Sequence, residues 1–295
     1  DANRAGGFKR GVAALKGSWD RKPVVLVGSS PSLAKNGHLL AEIQGLREQG
    51  KVKVIGCNRA FKYHPPEFFD YYFCADFEGR REWFEGYDCK RTEAVAWLYA
   101  TQLVREFWPD DRILWHISPL CKSALPDEDK HRDLGWLMEG PSVSTSMLHF
   151  AFHWLQASPI LMIGFDFSYP AQDGISQRYP GEPLLWGVQP DLTFTQGQMW
   201  DGTNRLYVEP TSRMLLDQCR HINYACTWIR RAGRRVINCT EGGIQRNPDR
   251  MPFREAIDRF LVGGEDAHAD PGFLEWRRLE QLSMTVHAPE RVEAA

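Results

Sequence analysis

Short runs of apolar residues recur along the chain, and polar or turn-forming residues bound each run. Continuous apolar character is typical of parallel strands that are covered on both faces of a sheet. Six runs predict such strands: Val24–Val27, Val52–Gly56, Tyr71–Ala75, Ile113–Ser118, Ile160–Gly164 and Val236–Cys239.

Helical periodicity separates several of these strands. Apolar residues recur at intervals of three and four within Leu39–Leu46, Met147–Leu155 and Leu215–Ile229. The resulting β-α-β order predicts an α/β fold with a doubly wound, mainly parallel, Rossmann-like sheet. In such folds the ligand site lies at the carboxyl ends of the strands.

The chain has 295 residues, 43% of them hydrophobic, which is enough for one large core or two modest ones. We predict an N-terminal segment over 1–20, one nucleotide-binding α/β domain over 21–262, and a short C-terminal helix and tail over 263–295. The last boundary falls where Gly263–Gly272 interrupts the pattern with Gly and Asp. No apolar run reaches the roughly 18 residues that span a bilayer, and no signal-peptide pattern opens the sequence, so we expect no membrane span.

Charge and cysteine usage narrow the class of protein. A net charge of −2 and a pI near 6.5 argue against a nucleic-acid partner. The seven cysteines form no C-x-x-C pair, which favours a reduced, cytoplasmic protein without a zinc site. His149 and His153 have the i, i+4 spacing of a zinc helix but lack the glutamate of that motif, so we interpret them as surface or core histidines.

The first strand runs directly into a loop of small, hydroxyl-bearing residues. Gly28 allows close approach of the backbone, while Ser29, Ser30 and Ser32 offer hydrogen-bond donors, a combination that favours a phosphate ligand. The loop matches neither the dinucleotide nor the P-loop motif. We expect a bulky residue at position 28 to block the phosphate while leaving the fold largely intact.

Polar residues also follow other strands and open one helix. Asn58 follows the second strand, Asp76 the third, and Asp166 the strand that ends at Gly164. Ser142 and Ser144 stand at the predicted start of a helix, where a plain N-cap and an anion contact are equally consistent. Because the carboxyl ends of parallel strands share one edge, we expect these residues to form one nucleotide site.

Four blocks of sequence together resemble a known family: GSSPSL at Gly28–Leu33, GCNRA at Gly56–Ala60, GPSVSTSMLHFAFHWLQASPILMIGFDFSY at Gly140–Tyr169 and NCTEGG at Asn238–Gly243. They look like the domain shared by flagellin-modifying motility accessory factors and archaeal 6-hydroxymethylpterin diphosphokinases, a domain similar to bacterial sialyltransferases that use CMP-activated sugars. The resemblance implies that Gly28, Ser29, Ser30, Asn58, Ser142 and Ser144 cradle the nucleotide. It also implies that Asp166 lies near the reacting centre.

One departure from that family concerns the general base. The sialyltransferases use a histidine downstream of the G-x-D turn, whereas this chain has no histidine between His153 and His221. Proton transfer then needs another group. The catalytic candidates are Asp166, Asp201, Glu209 and Tyr169. Asp201 and Glu209 lie in a predicted loop over Gly197–Pro210. Tyr169 or Tyr207 is the candidate hydrogen-bond donor to the departing phosphate.

These patterns and the resemblance favour a glycosyltransferase that moves a sugar from a nucleotide-sugar donor, with a CMP-linked donor favoured, to the hydroxyl of a glycan, protein or small molecule. One alternative is an ATP-dependent diphosphokinase that acts on a hydroxymethylpterin, with Mg²⁺ held by Asp76 and Asp166. Another is a nucleotide-binding or structural component without turnover, because a fold does not guarantee an activity. The oligomeric state stays open.

Overall fold

The computed structural model describes residues 8–265, except 58, 75–80, 119–127, 139, 173–174, 181, 184–191, 199–205 and 246–248. The strands of this part are β1 (Val24–Val27), β2 (Lys53–Cys57), β3 (Tyr71–Cys74), β4 (Glu93–Trp97), β5 (Ile113–His116), β6 (Ile160–Ile163), β7 (Ala171–Gln172), β8 (Ile175–Tyr179), β9 (Glu182–Pro183), β10 (Leu192–Gln198), β11 (Leu206–Ser212) and β12 (Val236–Asn238). The α-helices are α1 (Leu33–Asn36), α2 (Leu39–Glu48), α3 (Ala60–Tyr63), α4 (Thr101–Phe107), α5 (Val143–His149), α6 (Arg213–Arg231) and α7 (Phe253–Ala256).

Seven strands form one all-parallel sheet in the order β12-β6-β1-β2-β3-β4-β5. The central strand β1 pairs with β2 on one side and β6 on the other, so that Val24 lies opposite both Lys53 and Ile160. Complete burial of β1 on both faces explains its continuous apolar sequence.

Helices cover both faces of this sheet. Val25 and Val27 of β1 pack into one core, to which α2, α4 and α7 contribute. Val24 and Leu26 point the other way, into a second core that α5 and α6 complete. The predicted doubly wound, Rossmann-like α/β fold is therefore confirmed.

The strand order reverses between β1 and β6. From β1 the chain adds β2 to β5 successively on one side, and it then returns to place β6 and β12 on the other side. At such a switch point the loops after the two central strands diverge to opposite faces and leave a crevice between them. The loop after β1 and the loop after β6 therefore form the walls of a crevice.

Several local predictions need correction. Strand β4 was not predicted, because its sequence, EAVAW, has two alanines and only one β-branched residue, a weak strand signal. Glu209 lies in strand β11, paired antiparallel with Thr195 of β10, and not in a loop. The segment after Pro170 contains short antiparallel strands, β7 to β9.

The described residues before β1 belong to the same packed body. Val12 and Trp19 are buried in the core beneath α5. Six of the cysteines lie in the described part of the chain, where all are buried and none forms a disulfide with another. Within that part, no helix combines the length and the apolar character that crossing a membrane requires.

Candidate functional site

A cavity of about 240 Å³ lies at the carboxyl ends of β1, β2 and β6, in the crevice at the switch point. The residues that line it come from the loops after β1 and β6, from the end of β2, and from the starts of α5 and α6: Gly28, Ser29, Ser30, Cys57, Ser142, Val143, Ser144, Gly164, Phe165, Phe167, Ser168, Tyr169, Met214, Leu215 and Gln218. Six residues of the predicted site are among them.

The loops after β1 and β6, which both line the cavity, also touch each other. The Gly28 amide donates to the Ile163 carbonyl at 2.9 Å, and the Ser30 amide donates to the Gly164 carbonyl at 3.1 Å. A Cβ atom at position 28 would overlap the Gly164 carbonyl oxygen. The expectation that a bulky residue at position 28 leaves the fold largely intact is therefore wrong.

Two serines of the first loop face the cavity with their hydroxyl groups available. Ser29 and Ser30 are half-buried, and neither hydroxyl makes a hydrogen bond within the described part of the chain. Each can therefore donate to a ligand without breaking an existing bond.

The start of α5 forms a second wall. Ser142 is the N-cap: its Oγ accepts from the Ser144 amide at 3.2 Å and lies 2.8 Å from the Ser144 Oγ. Gln218 of α6 donates from Nε2 to the Pro141 carbonyl at 2.8 Å, which joins the first turns of the two helices. Two hydroxyls are thus held side by side opposite the first loop.

Asp166 lies behind the cavity and does not line it. Its side chain is fully buried, with Oδ2 accepting from the Ser32 amide at 2.9 Å and Oδ1 accepting from the Ser32 hydroxyl. Burial raises the pKa of Asp166 to about 6, against the opposing effects of the Ser32 hydrogen bonds and the Lys35 charge. These hydrogen bonds hold the loop after β1, which carries Ser32, against the loop after β6, which carries Asp166.

The NCTEGG block packs against the same residue from the other side. The Ile244 amide donates to the Asp166 carbonyl at 2.8 Å, and Gly243 has a φ of +77°. A Cβ at Gly243 would overlap the backbone of Asp166. Thr240 adds a hydrogen bond, from the Phe165 amide to its Oγ1 at 3.3 Å.

The remaining predicted residues fall into two groups. Tyr169 lines the cavity and is itself buried. Asn58, Asp76 and Asp201 lie outside the described residues, as does the side chain of Glu209. The backbone of Glu209 lies two residues before Thr211, whose hydroxyl donates to the Phe167 carbonyl at 2.8 Å.

Sequence reasoning missed the wall contributed by α6. Met214, Leu215 and Gln218 lie in a helix whose apolar periodicity was recognised, but its first turn meets the cavity only because α6 packs on α5. Cys57 was also missed, although it ends β2 beside the predicted residue Asn58. Its position at a strand end was the available signal.

The chemistry of this lining is that of hydroxyl groups and backbone amides beside an apolar wall. Phe165, Phe167, Met214 and Leu215 supply apolar surface, whereas the serines supply donors. The described lining carries no carboxylate and no cationic side chain, and no cluster of metal-binding side chains occurs in the described part of the chain. Such a lining suits a ligand that combines a flat apolar ring with hydroxyl or phosphate oxygens.

Fold and crevice define this chain as a Rossmann-like α/β protein with a polar site at the switch point. No protein-family model matches the sequence, and no curated protein matches it either.

We predict that Gly28→Ala lowers the free energy of unfolding by several kcal/mol, since the new Cβ forces apart the backbones of the two central loops. Gly45→Ala is the matched control. Gly45 is exposed in α2 with nothing near its Cβ position, so this change should be neutral or stabilising by up to about 1 kcal/mol. Urea denaturation measures both variants. Equal stability of the Gly28→Ala variant and the unmodified protein would contradict the described contact.

We predict that the stability conferred by Asp166 depends on pH. Because burial raises the pKa of Asp166 from 3.8 to about 6, the folded protein holds this proton more tightly than the unfolded chain does. Its contribution is therefore full below about pH 4 and is lost as the pH rises through about 6. Between these limits the stability of the unmodified protein should fall relative to Asp166→Asn by up to about 3 kcal/mol. Denaturation of both forms from pH 4 to pH 8 tests this, and a constant difference would refute it.

Proposed function

We propose that this chain binds a nucleotide-sugar in the crevice and transfers the sugar to a hydroxyl acceptor, as the CMP-sugar transferases that its motifs resemble do. The observation that carries the proposal is the convergence of Ser29, Ser30, Ser142 and Ser144 on one cavity at the switch point. Ligands of open α/β sheets bind at this position. The apolar residues of the same lining, Phe165, Phe167, Met214 and Leu215, provide surface for a base or a sugar ring.

In this proposal the residues of the chain have distinct tasks. The hydroxyls of the first loop and of the α5 start bind the phosphate and ribose oxygens, and they stabilise the negative charge that develops on the leaving phosphate. Tyr169, which also lines the cavity, is the further candidate donor to that phosphate. Asp201 and Glu209 remain the candidates for accepting the proton of the acceptor hydroxyl.

A specific observation disfavours the diphosphokinase alternative. That reaction calls for Mg²⁺ held by carboxylates that face the triphosphate. Of the two carboxylates proposed for this, Asp166 is buried and bonded to Ser32, and Asp76 lies outside the described residues. The donor set of the described lining, hydroxyls with one thiol and one amide, does not fit Mg²⁺.

We predict that CMP binds more tightly than CDP, UDP, GDP or ATP in calorimetric titrations, and that Ser29→Ala and Ser30→Ala each weaken CMP binding roughly tenfold, the effect of one lost hydrogen bond to a charged group. Neither change should lower stability, because neither hydroxyl has a partner in the described part of the chain. Ser18→Ala is the control, since Ser18 is exposed and does not line the cavity. Failure of all five nucleotides to bind would exclude the crevice as a nucleotide site.

We predict that transfer from a CMP-linked sugar persists in EDTA and releases CMP. AMP release from ATP in the presence of a hydroxymethylpterin, abolished by EDTA, would instead establish the diphosphokinase. The same assay defines the role of Asp166: Asp166→Asn should leave the rate per folded molecule within a few-fold if the carboxylate only fastens the loops. A loss of two or more powers of ten would make it an acid–base group. Nucleotide binding without turnover of any donor would favour a binding component.

A further inference from the structure

Helix α6 has a row of aromatic and charged side chains on the face that points away from the core. Its apolar face, which includes Cys219 and Ile229, is buried against the sheet. The spacing of three and four residues aligns a second set within about 100° of the opposite helix surface. We call this set the α6 stripe: Asp217, Arg220, His221, Tyr224, Trp228 and Arg231.

The two aromatic residues of the stripe are unusually exposed. Tyr224 is 74% exposed and Trp228 is 44% exposed, and with Met214 they make three of the six large hydrophobic residues that are exposed in the described part of the chain. The Trp228 ring is nevertheless held in position, because Phe152 packs edge-on against it with ring centroids 5.0 Å apart. Rigid, partly exposed aromatic side chains of this kind are enriched at the centres of protein interfaces.

The stripe is complementary to itself when a second copy of α6 lies antiparallel on it. Tyr224 is the middle of the stripe, so a two-fold axis at Tyr224 places each residue opposite the one that is equally far from Tyr224 in the other direction. Asp217, seven residues before Tyr224, then faces Arg231 of the second copy, seven residues after it. By symmetry this pairing of opposite charges occurs twice.

The same register also pairs the other large side chains. Arg220, four residues before Tyr224, faces Trp228 of the second copy, four residues after it. A guanidinium group over an indole ring is a favourable cation–π pair. A parallel arrangement would instead place equal charges side by side, which is unfavourable. Charge and aromatic surface therefore both favour the antiparallel arrangement.

We propose that the α6 stripe is the interface of a symmetric homodimer, in which α6 of each copy packs antiparallel on α6 of the other around Tyr224. The start of the same helix contributes Met214, Leu215 and Gln218 to the cavity, so interface and cavity share one element. No residue of the stripe lines the cavity. The dimer is therefore independent of the proposed function.

The size of the stripe determines how strong this dimer is. The helix rises about 21 Å from Asp217 to Arg231, and one helix face of that length offers less than the roughly 800 Å² per partner of a standard interface. The net charge of −2 causes little long-range repulsion between two copies. We therefore expect a weak dimer, with a Kd on the order of micromolar.

Sedimentation equilibrium of the full chain over a concentration series tests the dimer. Tyr224→Glu places two like charges at the axis, and Asp217→Arg places an arginine opposite Arg231 on both sides, so each change should weaken association at least tenfold. The matched control is Glu48→Arg, which makes the same change of charge. Glu48 is exposed in α2, on the other face of the sheet, and its variant should associate like the unmodified protein.

A charge exchange distinguishes this register from any other interface. Arg231→Asp should also weaken association at least tenfold, and it leaves the ion pair between Arg220 and Asp217 intact. The double variant with Asp217→Arg and Arg231→Asp restores opposite charges across the axis, so its Kd should return to within a few-fold of the original. Circular dichroism verifies that each variant is folded.

Three results would overturn the proposal. A monomer at every concentration would leave the stripe to a different protein as its partner. Association that survives Tyr224→Glu would place the interface elsewhere on the molecule. Failure of the folded double variant to regain the association that Arg231→Asp loses would refute the antiparallel register.

Discussion

The two hydrogen bonds between Asp166 and Ser32 are the interaction on which the geometry of the cavity depends. The buried carboxylate of Asp166 accepts hydrogen bonds from both the amide and the hydroxyl of Ser32. These bonds join the loop after β1 to the loop after β6. The backbone carbonyl of Asp166 receives the Ile244 amide from the turn after β12. Three loops that are distant in the sequence are thereby held in one relative position, and the first two of them line the cavity.

This arrangement has a cost, because the carboxylate of Asp166 is fully buried. Burial disfavours the charged form, and the two hydrogen bonds from Ser32 offset only part of that effect, so the pKa stays above its ordinary value. His149 in α5 and His116 in β5 show the same compromise, since both are buried and each has a ring nitrogen without a hydrogen-bond partner in the described part of the chain. Proteins retain such departures from an apolar core mainly where function requires them.

Prediction from sequence succeeded where burial is complete. Strand β1 was predicted with its observed ends because both of its faces are covered, which leaves an uninterrupted apolar run. Strand β4 was not predicted because its two buried alanines have a low strand propensity. For the site, Ser29 and Ser32 looked equivalent in sequence, yet one faces the cavity and the other is bonded to Asp166. Their difference depends on a partner more than a hundred residues away.

The sequence by itself determined the fold class, and it predicted that the residues of the first loop and of the α5 start lie at the carboxyl ends of the strands, where the structure has its cavity. These features follow from local patterns: apolar periodicity, small residues after a strand, and a serine before a helix. Only the tertiary structure decided that Asp166 is buried and does not line the cavity, and that residues of α6 do line it. It also decided that position 28 has no room for a Cβ atom, because the Gly164 carbonyl oxygen lies there. The reason is physical: each of these features depends on packing between segments that are distant in the sequence, and the local sequence of one segment does not indicate which other segment it contacts.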